Sequence, residues 1–167
     1  MLGVRSIINC KNPNTEYLSF LSSLGWLTLF ASSQAILKVQ WGKKECSSTT
    51  PLLTEAKEQI IEYLGKERKT FSIPLDPMGT RFQKSVWHKI KEIPYGRTKT
   101  YGDMAKNINN AARAVGGACA KNPIPIFIPC HRVVGANGKL IGFSGGRGII
   151  TKEALILLET SIKNTYE

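Results

Sequence analysis

The chain has 167 residues and a formal net charge of +11 at neutral pH. A chain of this length can bury one good core or two small ones. So large a basic excess favours a polyanionic partner, nucleic acid before an anionic membrane, although it can also serve solubility alone. The longest apolar stretch, at 18–31, is interrupted by serine, glycine and threonine, and no signal peptide precedes it, so we expect no membrane segment.

The four cysteines, Cys10, Cys46, Cys119 and Cys130, include no Cys-x-x-Cys pair. Only two histidines could supply nitrogen ligands, so no usual zinc spacing occurs, and we expect neither a metal nor another cofactor. Free thiols in a reducing compartment are the simplest interpretation. The cysteine pattern therefore predicts a cytoplasmic protein.

The first part of the chain, 1–77, is predicted to be a small α+β scaffold domain that ends in a linker. Two β-prone runs, WLTLFAS and AILKVQWG, predict a hairpin around Ser33-Gln34. The segment PLLTEAKEQIIEYLGKE then predicts an amphipathic helix. Its apolar face would contain Leu53, Ala56, Ile60 and Leu64. The segment KTFSIPLDPMG predicts a strand that runs into the linker, because its prolines exclude a helix. No pattern in this part has catalytic spacing.

The second part, 78–167, is predicted to be mostly helical. The run RFQKSVWHKIK predicts an amphipathic helix with Phe82, Val86 and Ile90 inward. Two short helices follow, in TKTYGDMAKNI with Thr100 as the N-cap, and in AARAVGGACAK. A tight turn joins them, and this is the outline of a helix-turn-helix.

The second helix of this pair has almost no side-chain bulk. Its small residues are Ala111, Ala112, Ala114, Gly116, Gly117, Ala118 and Ala120. A glycine inside a helix lowers the stability of that helix by about 1 kcal/mol relative to alanine. We expect close contact with another helix or with an external surface to offset this loss. The single long cation, Arg113, with Lys106 before it and Lys121 after it, favours the external surface. A thin basic helix suits a groove of DNA.

The last segment contains two turn signals and one helix. The sequence GANG at 135–138 predicts a turn between Val133-Val134 and Leu140-Ile141, and SGG at 144–146 predicts a flexible point that could wrap over a small ligand. The run TKEALILLETS predicts a helix that ends near Glu159. Its inward residues would be Ala154, Leu155 and Leu158.

The segment IPCHRVV places a thiol, Cys130, beside an imidazole, His131. An imidazole can accept the proton of a thiol and so create a nucleophile. Neighbouring side chains of a strand point to opposite faces, so direct contact between these two is awkward, although a water could bridge them if the backbone turns. Glu159 is placed to fold back and orient the histidine as the third member of a relay. The alternative is a buried, inert cysteine.

In its surroundings, IPCHRVV resembles the active-site motif of the methylated-DNA–protein-cysteine methyltransferases, which repair guanine alkylated at its exocyclic oxygen. The resemblance covers 78–160 and includes FQKSVWHKIKEIPYGRTKTYGDMA, AARAVGGACAKNPIPIFIPCHRVV, GFSGG and KEALILLE. It implies an α+β chain. A small N-terminal ribonuclease H-like domain of sheet and helix would precede a mostly helical C-terminal domain with a winged-helix-like helix-turn-helix.

The resemblance also implies catalytic roles. Cys130 would accept the alkyl group, His131 would act on it through a water, and Glu159 would complete the relay. Asn122 would brace the turn that presents the cysteine. Tyr101 would contact the phosphate of the extruded nucleotide and help to supply a proton to the leaving guanine.

Roles in DNA binding follow from the same resemblance. Arg113 would fill the gap that the flipped base leaves in the duplex. The other residues of the DNA-binding surface would be Tyr101, Ala112, Gly116, Gly117 and Lys121. Val133, through its backbone, and Ser144 would bind the base, with Phe143 against it. Extrusion is needed in any case, because a thiolate cannot reach the exocyclic oxygen in line inside a stacked duplex.

The implied activity is a single, irreversible transfer by a monomer. Its partner would be double-stranded DNA that contains alkylated guanine, with alkylated thymine as a second candidate substrate. Two departures from the family pattern bear on the site. The turn between the two short helices is shorter, and the segment from Gly146 to Lys152 is longer, which affects where Glu159 lies.

Two other classes of function fit part of the pattern. A cysteine hydrolase or amidase could use Cys130 and His131 but would not need a basic, glycine-rich helix. A non-enzymatic DNA-binding regulator could be built on 98–121 but would leave the adjacent cysteine and histidine unexplained.

Overall fold

The computed structural model describes residues 15–45 and 47–161, so Cys10 and Cys46 lie outside the described residues. Three antiparallel strands, β1 (Glu16–Ser22), β2 (Gly25–Ala31) and β3 (Ile36–Trp41), form a sheet in the order β1-β2-β3. The hairpin expected at Ser33-Gln34 is confirmed, since these residues join β2 to β3. Strand β1 was not predicted; it connects to β2 through a tight turn with Gly25 at a φ of 90°.

Helix α1 (Pro51–Leu64) packs against this sheet. It begins at Thr50, whose Oγ1 accepts a hydrogen bond from the Leu53 amide at 3.4 Å. The predicted inner face is confirmed at Leu53, Ala56 and Ile60, but Leu64 is only half-buried. The innermost position of the last turn belongs to Tyr63, which is fully buried.

The strand predicted in KTFSIPLDPMG is wrong. Within the described residues, this segment makes one isolated bridge, between Leu75 and Ile36. The amide of Ile36 donates to the carbonyl of Pro74 at 2.9 Å, and the amide of Asp76 donates to the carbonyl of Ile36 at 2.9 Å. Proline has no amide proton to extend such a ladder. The domain boundary near residue 77 stays a prediction.

Helix α2 (Arg81–Lys91) begins in a capping box between Thr80 and Gln83. Val86, Trp87 and Ile90 are buried, whereas Phe82 is half-buried. The indole Nε1 of Trp87 donates to the carbonyl of Ala118 at 2.8 Å. This hydrogen bond attaches α2 to the second of the two short helices, which contains Ala118.

The two short helices are α3 (Tyr101–Asn107) and α4 (Ala112–Ala120), and they pack against each other. Thr100 is confirmed as an N-cap, because its Oγ1 accepts from the amide of Asp103 at 3.0 Å. Strand β4 (Lys99–Thr100) pairs in parallel with β5 (Val133–Val134). Leu140 and Ile141 flank the predicted turn but form no strand. The use of α3 and α4 as a DNA-reading helix-turn-helix stays a prediction.

Helix α5 (Ile149–Thr160) turns a different face to the core than the sequence suggested. Leu155 is buried as predicted and Leu158 is half-buried, but Ala154 is exposed. Polar residues take the inner positions instead: Thr151, Lys152 and Glu159. Lys152 and Glu159 form hydrogen bonds with the buried residues Val133 and His131, and the apolar pattern alone could not show this inward face. No helix in the described ranges is both long and apolar enough to cross a membrane.

Candidate active site

Cys130 lies at the start of a single 3-10 turn, Cys130–Arg132, and not in a strand. Pro129 before it has φ −79° and ψ 63°, and the amide of Cys130 donates to the carbonyl of Ile128 at 2.8 Å. This is an inverse γ-turn, which bends the chain sharply at the cysteine. The expectation that neighbouring side chains point to opposite faces of a strand therefore does not apply here.

Asn122 bridges the loop that leads to the cysteine. Its Nδ2 donates to the carbonyl of Ile128 at 2.9 Å, and its Oδ1 accepts from the amide of Ile124 at 3.0 Å. Both functions of the amide are thus occupied within one loop. The arrangement holds the backbone on the amino-terminal side of Cys130.

His131 and Glu159 are in direct contact despite the longer segment before α5. The Nε2 of His131 lies 2.7 Å from Oε1 of Glu159, and both side chains are buried. A carboxylate can only accept, so Nε2 carries the proton and Nδ1 keeps its lone pair. Burial, the largest effect, lowers the pKa of His131, so the imidazole is neutral and able to accept a proton. Within the described residues, Nδ1 has no hydrogen-bond partner.

Glu159 is an ionised carboxylate in spite of its burial. Burial acts to raise its pKa, but hydrogen bonds from His131, Arg132 and Tyr63 outweigh it and lower the pKa to about 2. Arg132 donates from Nε at 3.0 Å and from Nη2 at 2.9 Å, and the amide of Gly96 donates at 3.1 Å. The carboxylate is therefore held from several directions.

Tyr63 lies in the part of the chain that was predicted to be a scaffold, and no motif singled it out. The hydroxyl of this α1 residue nevertheless donates to Oε1 of Glu159 at 2.6 Å and lies 3.3 Å from Nε2 of His131. Burial and the negative charge of Glu159 raise the pKa of the phenol. Its only sequence signal is a helical position three residues after Ile60, which would suit any core residue.

Lys152, a fully buried lysine on α5, was also not predicted as a site residue. Its Nζ donates to the carbonyls of Val133 at 2.5 Å and Ile141 at 2.7 Å, and it lies 3.4 Å from the hydroxyl of Tyr101. Burial lowers the pKa of Lys152. Lys152 lies three residues before Leu155 and so on the same helical face, but lysine is rarely buried and the pattern does not show its partners.

Several neighbours of Cys130 oppose the effect of burial on the pKa of its thiol. Burial raises the pKa of Cys130, but the Asn122 amide, Lys152 and nearby backbone N–H groups act against burial. Cys119 is also buried and free, and burial together with the charge of Cys130 raises its pKa to about 12. Among the described residues, Lys152 opposes this rise in the pKa of Cys119.

A cavity of about 320 Å³ opens beside Cys130. Among the residues singled out from the sequence, Asn122, Phe143 and Ser144 also line it. Strand β3 provides a further wall with Lys38, Val39, Gln40 and Trp41. Val133, which was also assigned to the base pocket, is fully buried, and its carbonyl accepts from Lys152. The cavity is thus built by both parts of the chain.

Helix α4 presents an exposed side of small residues with two cations. Ala112, Arg113, Gly117 and Lys121 are exposed, whereas Gly116 is half-buried. Among the atoms of the described residues, a Cβ on Gly117 would meet none within 4 Å, and one on Gly116 would meet only the ring of Tyr101 at 4.0 Å. Packing inside the protein therefore does not require these glycines. Tyr101 itself is buried, and its hydroxyl donates to the carbonyl of Ile141 at 3.2 Å.

Comparisons with known proteins agree with this architecture. The ribonuclease-like domain of 6-O-methylguanine DNA methyltransferase matches residues 17–77, and the DNA binding domain of the same family matches residues 81–161. A methylated-DNA–protein-cysteine methyltransferase of Methanosarcina acetivorans is 46% identical over 155 residues, which cover 87% of this chain and 98% of the relative. A methylated-DNA–protein-cysteine methyltransferase of Mycolicibacterium paratuberculosis is 39% identical over an alignment that covers 86% of this chain and 92% of the relative.

Solved structures resemble the chain as well. The crystal structure of Mycobacterium tuberculosis OGT in complex with DNA superposes with a TM-score of 0.78 at 40% identity, covering 86% of this chain and 92% of that one. The O6-methylguanine methyltransferase of the same organism gives a TM-score of 0.77 at 38% identity, over 87% and 93% of the two chains. The chain therefore belongs to the methylated-DNA–protein-cysteine methyltransferase family.

Proposed function

We propose that this chain repairs DNA by moving an alkyl group from the exocyclic oxygen of guanine to Cys130. The observation that carries the proposal is the buried contact between His131 and Glu159, which leaves Nδ1 of the imidazole, without a hydrogen-bond partner among the described residues, as a proton acceptor. The cavity beside Cys130 offers room for a base, and the exposed basic side of α4 suits a duplex.

The transfer begins with the thiol proton, which moves through a water to Nδ1 of His131, while Glu159 supports the resulting imidazolium. The thiolate attacks the alkyl carbon, so that a sulfur–carbon bond forms as the carbon–oxygen bond breaks. The electron pair stays with the guanine, which takes up a proton with the help of Tyr101. The products are normal guanine and a thioether on Cys130. Because a thioether is a poor leaving group, each chain acts once.

DNA recognition is assigned to α4 and the loop at 143–146. Arg113 fills the stack after the base has been extruded, while Ala112, Gly116, Gly117 and Lys121 allow close approach to the backbone. Phe143 and Ser144 hold the base together with the backbone at Val133. The position of Phe143 and Ser144 on the cavity wall supports this assignment.

We also propose a cytoplasmic location on chromosomal DNA and action as a monomer. The free thiols of Cys119 and Cys130 support a reducing compartment.

Mass spectrometry of the intact protein after mixing with methylated duplex tests the proposal. We expect a gain of one methyl group per chain, no gain for Cys130→Ala, and an unchanged gain for the matched variant Cys119→Ala. Many transfers per chain, or a methyl group on Cys119, would contradict it. Hydrolysis of a small ester without methylation would indicate a cysteine hydrolase, and DNA binding without methylation would indicate a regulator.

A further inference from the structure

The hydroxyl of Tyr63 connects the N-terminal helix α1 to the pair formed by His131 and Glu159. Tyr63 is fully buried, donates to Oε1 of Glu159 at 2.6 Å, and lies 3.3 Å from Nε2 of His131. His131 approaches the same carboxylate oxygen at 2.7 Å. One hydroxyl therefore touches both members of the carboxylate–imidazole pair.

Aromatic neighbours fix the direction of this hydroxyl. The ring of Tyr63 lies 5.2 Å from that of Phe71 and meets Tyr95 edge-on, with centroids 6.0 Å apart at 87°. Packed rings of this kind have little rotational freedom. The phenol can therefore hold the carboxylate in one orientation and does not simply follow it.

We propose that Tyr63 is a positioning residue for alkyl transfer, whose hydroxyl holds the carboxylate of Glu159 against the Nε2–H of His131. This keeps Nδ1 of the imidazole as the proton acceptor for Cys130. The inference rests on the proposed function and extends it, because the N-terminal domain then contributes a side chain to the reacting site.

Loss of the hydroxyl has a predictable electrostatic direction. With one donor fewer, Oε1 carries more negative charge, which favours a proton on Nδ1 and removes the accepting form of His131. The titratable and charged groups that face the pair from the surrounding elements are Tyr63, Tyr95, Cys130, Arg132 and Lys152. Only Tyr63 changes in the test, so the acidic limb of the rate–pH profile should move to higher pH.

The experiment compares Tyr63→Phe with Tyr95→Phe. Tyr95 belongs to the same aromatic cluster, and its hydroxyl donates to the backbone carbonyl of Leu158 at 3.3 Å rather than to the carboxylate. Single-turnover methyl transfer from saturating methylated duplex is measured across pH. We expect Tyr63→Phe to be about tenfold slower near neutral pH, since hydrogen bonds to charged groups contribute at least that factor. Tyr95→Phe should keep the native rate and profile.

Native rates and an unshifted profile in Tyr63→Phe would overturn the positioning role, as would equal losses in both variants. A second measurement does not depend on how a variant folds. Nitrogen NMR of His131 in the native protein should show the neutral Nε2–H tautomer, and the Nδ1–H tautomer would overturn the proposal. If the native protein itself gained no methyl group, the proposed function would fail, while the tautomer would still decide the placement of the proton.

Discussion

The indole of Trp41 meets the ring of Phe143 edge-on, with centroids 6.3 Å apart and an angle of 84° between the planes. The first residue ends strand β3, and the second begins the glycine-containing loop beside Cys130. The backbone also joins these regions, because the amide of Val39 donates to the carbonyl of Pro123 at 2.9 Å. One wall of the cavity is therefore set by the N-terminal sheet.

This contact predicts the effect of Gly145→Ala. The added Cβ would lie 2.6 Å from the Trp41 ring and 2.9 Å from the Phe143 ring, so one ring must move. We expect a loss of about 1–3 kcal/mol in the free energy of unfolding, as for other overpacked sites, and slower methyl transfer. Urea unfolding and single-turnover rates measure the two effects.

The matched control is Gly102→Ala on α3, where the nearest atom would be Thr100 Oγ1 at 3.7 Å. That variant should be at least as stable as the native protein, since alanine favours a helix. Trp41→Leu in the Gly145→Ala background should recover part of the lost transfer rate. Equal stability of Gly145→Ala and Gly102→Ala would show that the loop is not packed as described.

The buried carboxylate predicts how stability depends on pH. The folded-state pKa of Glu159, about 2, lies below that of an unfolded glutamate, so its contribution is complete above about pH 4.3 and is lost as the pH falls towards 2. The pKa of His131 is also lowered, so the unfolded chain binds more protons below about pH 6.5. Both groups therefore act in one direction, and the free energy of unfolding should decrease on acidification from about pH 6.5.

Replacement of the carboxylate tests this assignment. Glu159→Gln leaves Arg132 buried without its counter-ion, and we expect a loss of about 3–5 kcal/mol at neutral pH. Below about pH 4.3 the unfolding free energy of this variant should change less steeply than that of the native protein. Glu92→Gln, at an exposed ion pair with Lys89, is the control and should behave like the native protein. Parallel pH curves for Glu159→Gln and the native protein would contradict the role of the carboxylate.

Arg113→Ala separates DNA binding from base extrusion. If Arg113 fills the vacated stack, its loss raises the free energy of the extruded state by a few kcal/mol, so that this state is less populated. Repair of duplex then stays slow even at saturating protein. Reaction with free methylated guanine, which needs no extrusion, should be nearly unchanged. Single-turnover rates on both substrates measure this difference.

Lys121→Ala supplies the comparison, because this exposed cation follows the same helix. It should weaken duplex binding, yet repair should recover at saturation. If Arg113→Ala slowed both substrates equally, Arg113 would support the fold or the reacting site, and α4 would not enter the stack.

Binding to DNA should weaken steeply with added salt. The net charge of +11 implies that phosphate contacts supply much of the affinity, and these contacts do not depend on sequence or damage. Unmodified and methylated duplex should therefore show similar slopes of log affinity against log salt, and Lys121→Ala should reduce the slope by about one. A titration in which affinity does not change with salt would contradict this electrostatic interpretation.

Local signals carried most of the successful predictions. The cap at Thr100 and the helix α2 follow from neighbouring residues, and the adjacent Cys130 and His131 mark the site within one short motif. Tyr63 and Lys152 could not be found in this way. Their importance comes from what faces them across the fold, a carboxylate for one and two backbone carbonyls for the other, and no periodicity encodes that partner.

The inverse γ-turn at Pro129 bears on which partner has to move during the reaction. The amide of Cys130 and the side chain of Asn122 both bind the carbonyl of Ile128, and Cys130 continues directly into the 3-10 turn that is anchored by His131. The sulfur is thus attached to a backbone with little freedom to travel. In the reaction proposed for this chain, the nucleotide therefore makes almost all of the movement that brings the alkyl carbon to the sulfur. A stiffer duplex around the lesion should slow the reaction more than a stiffer protein would.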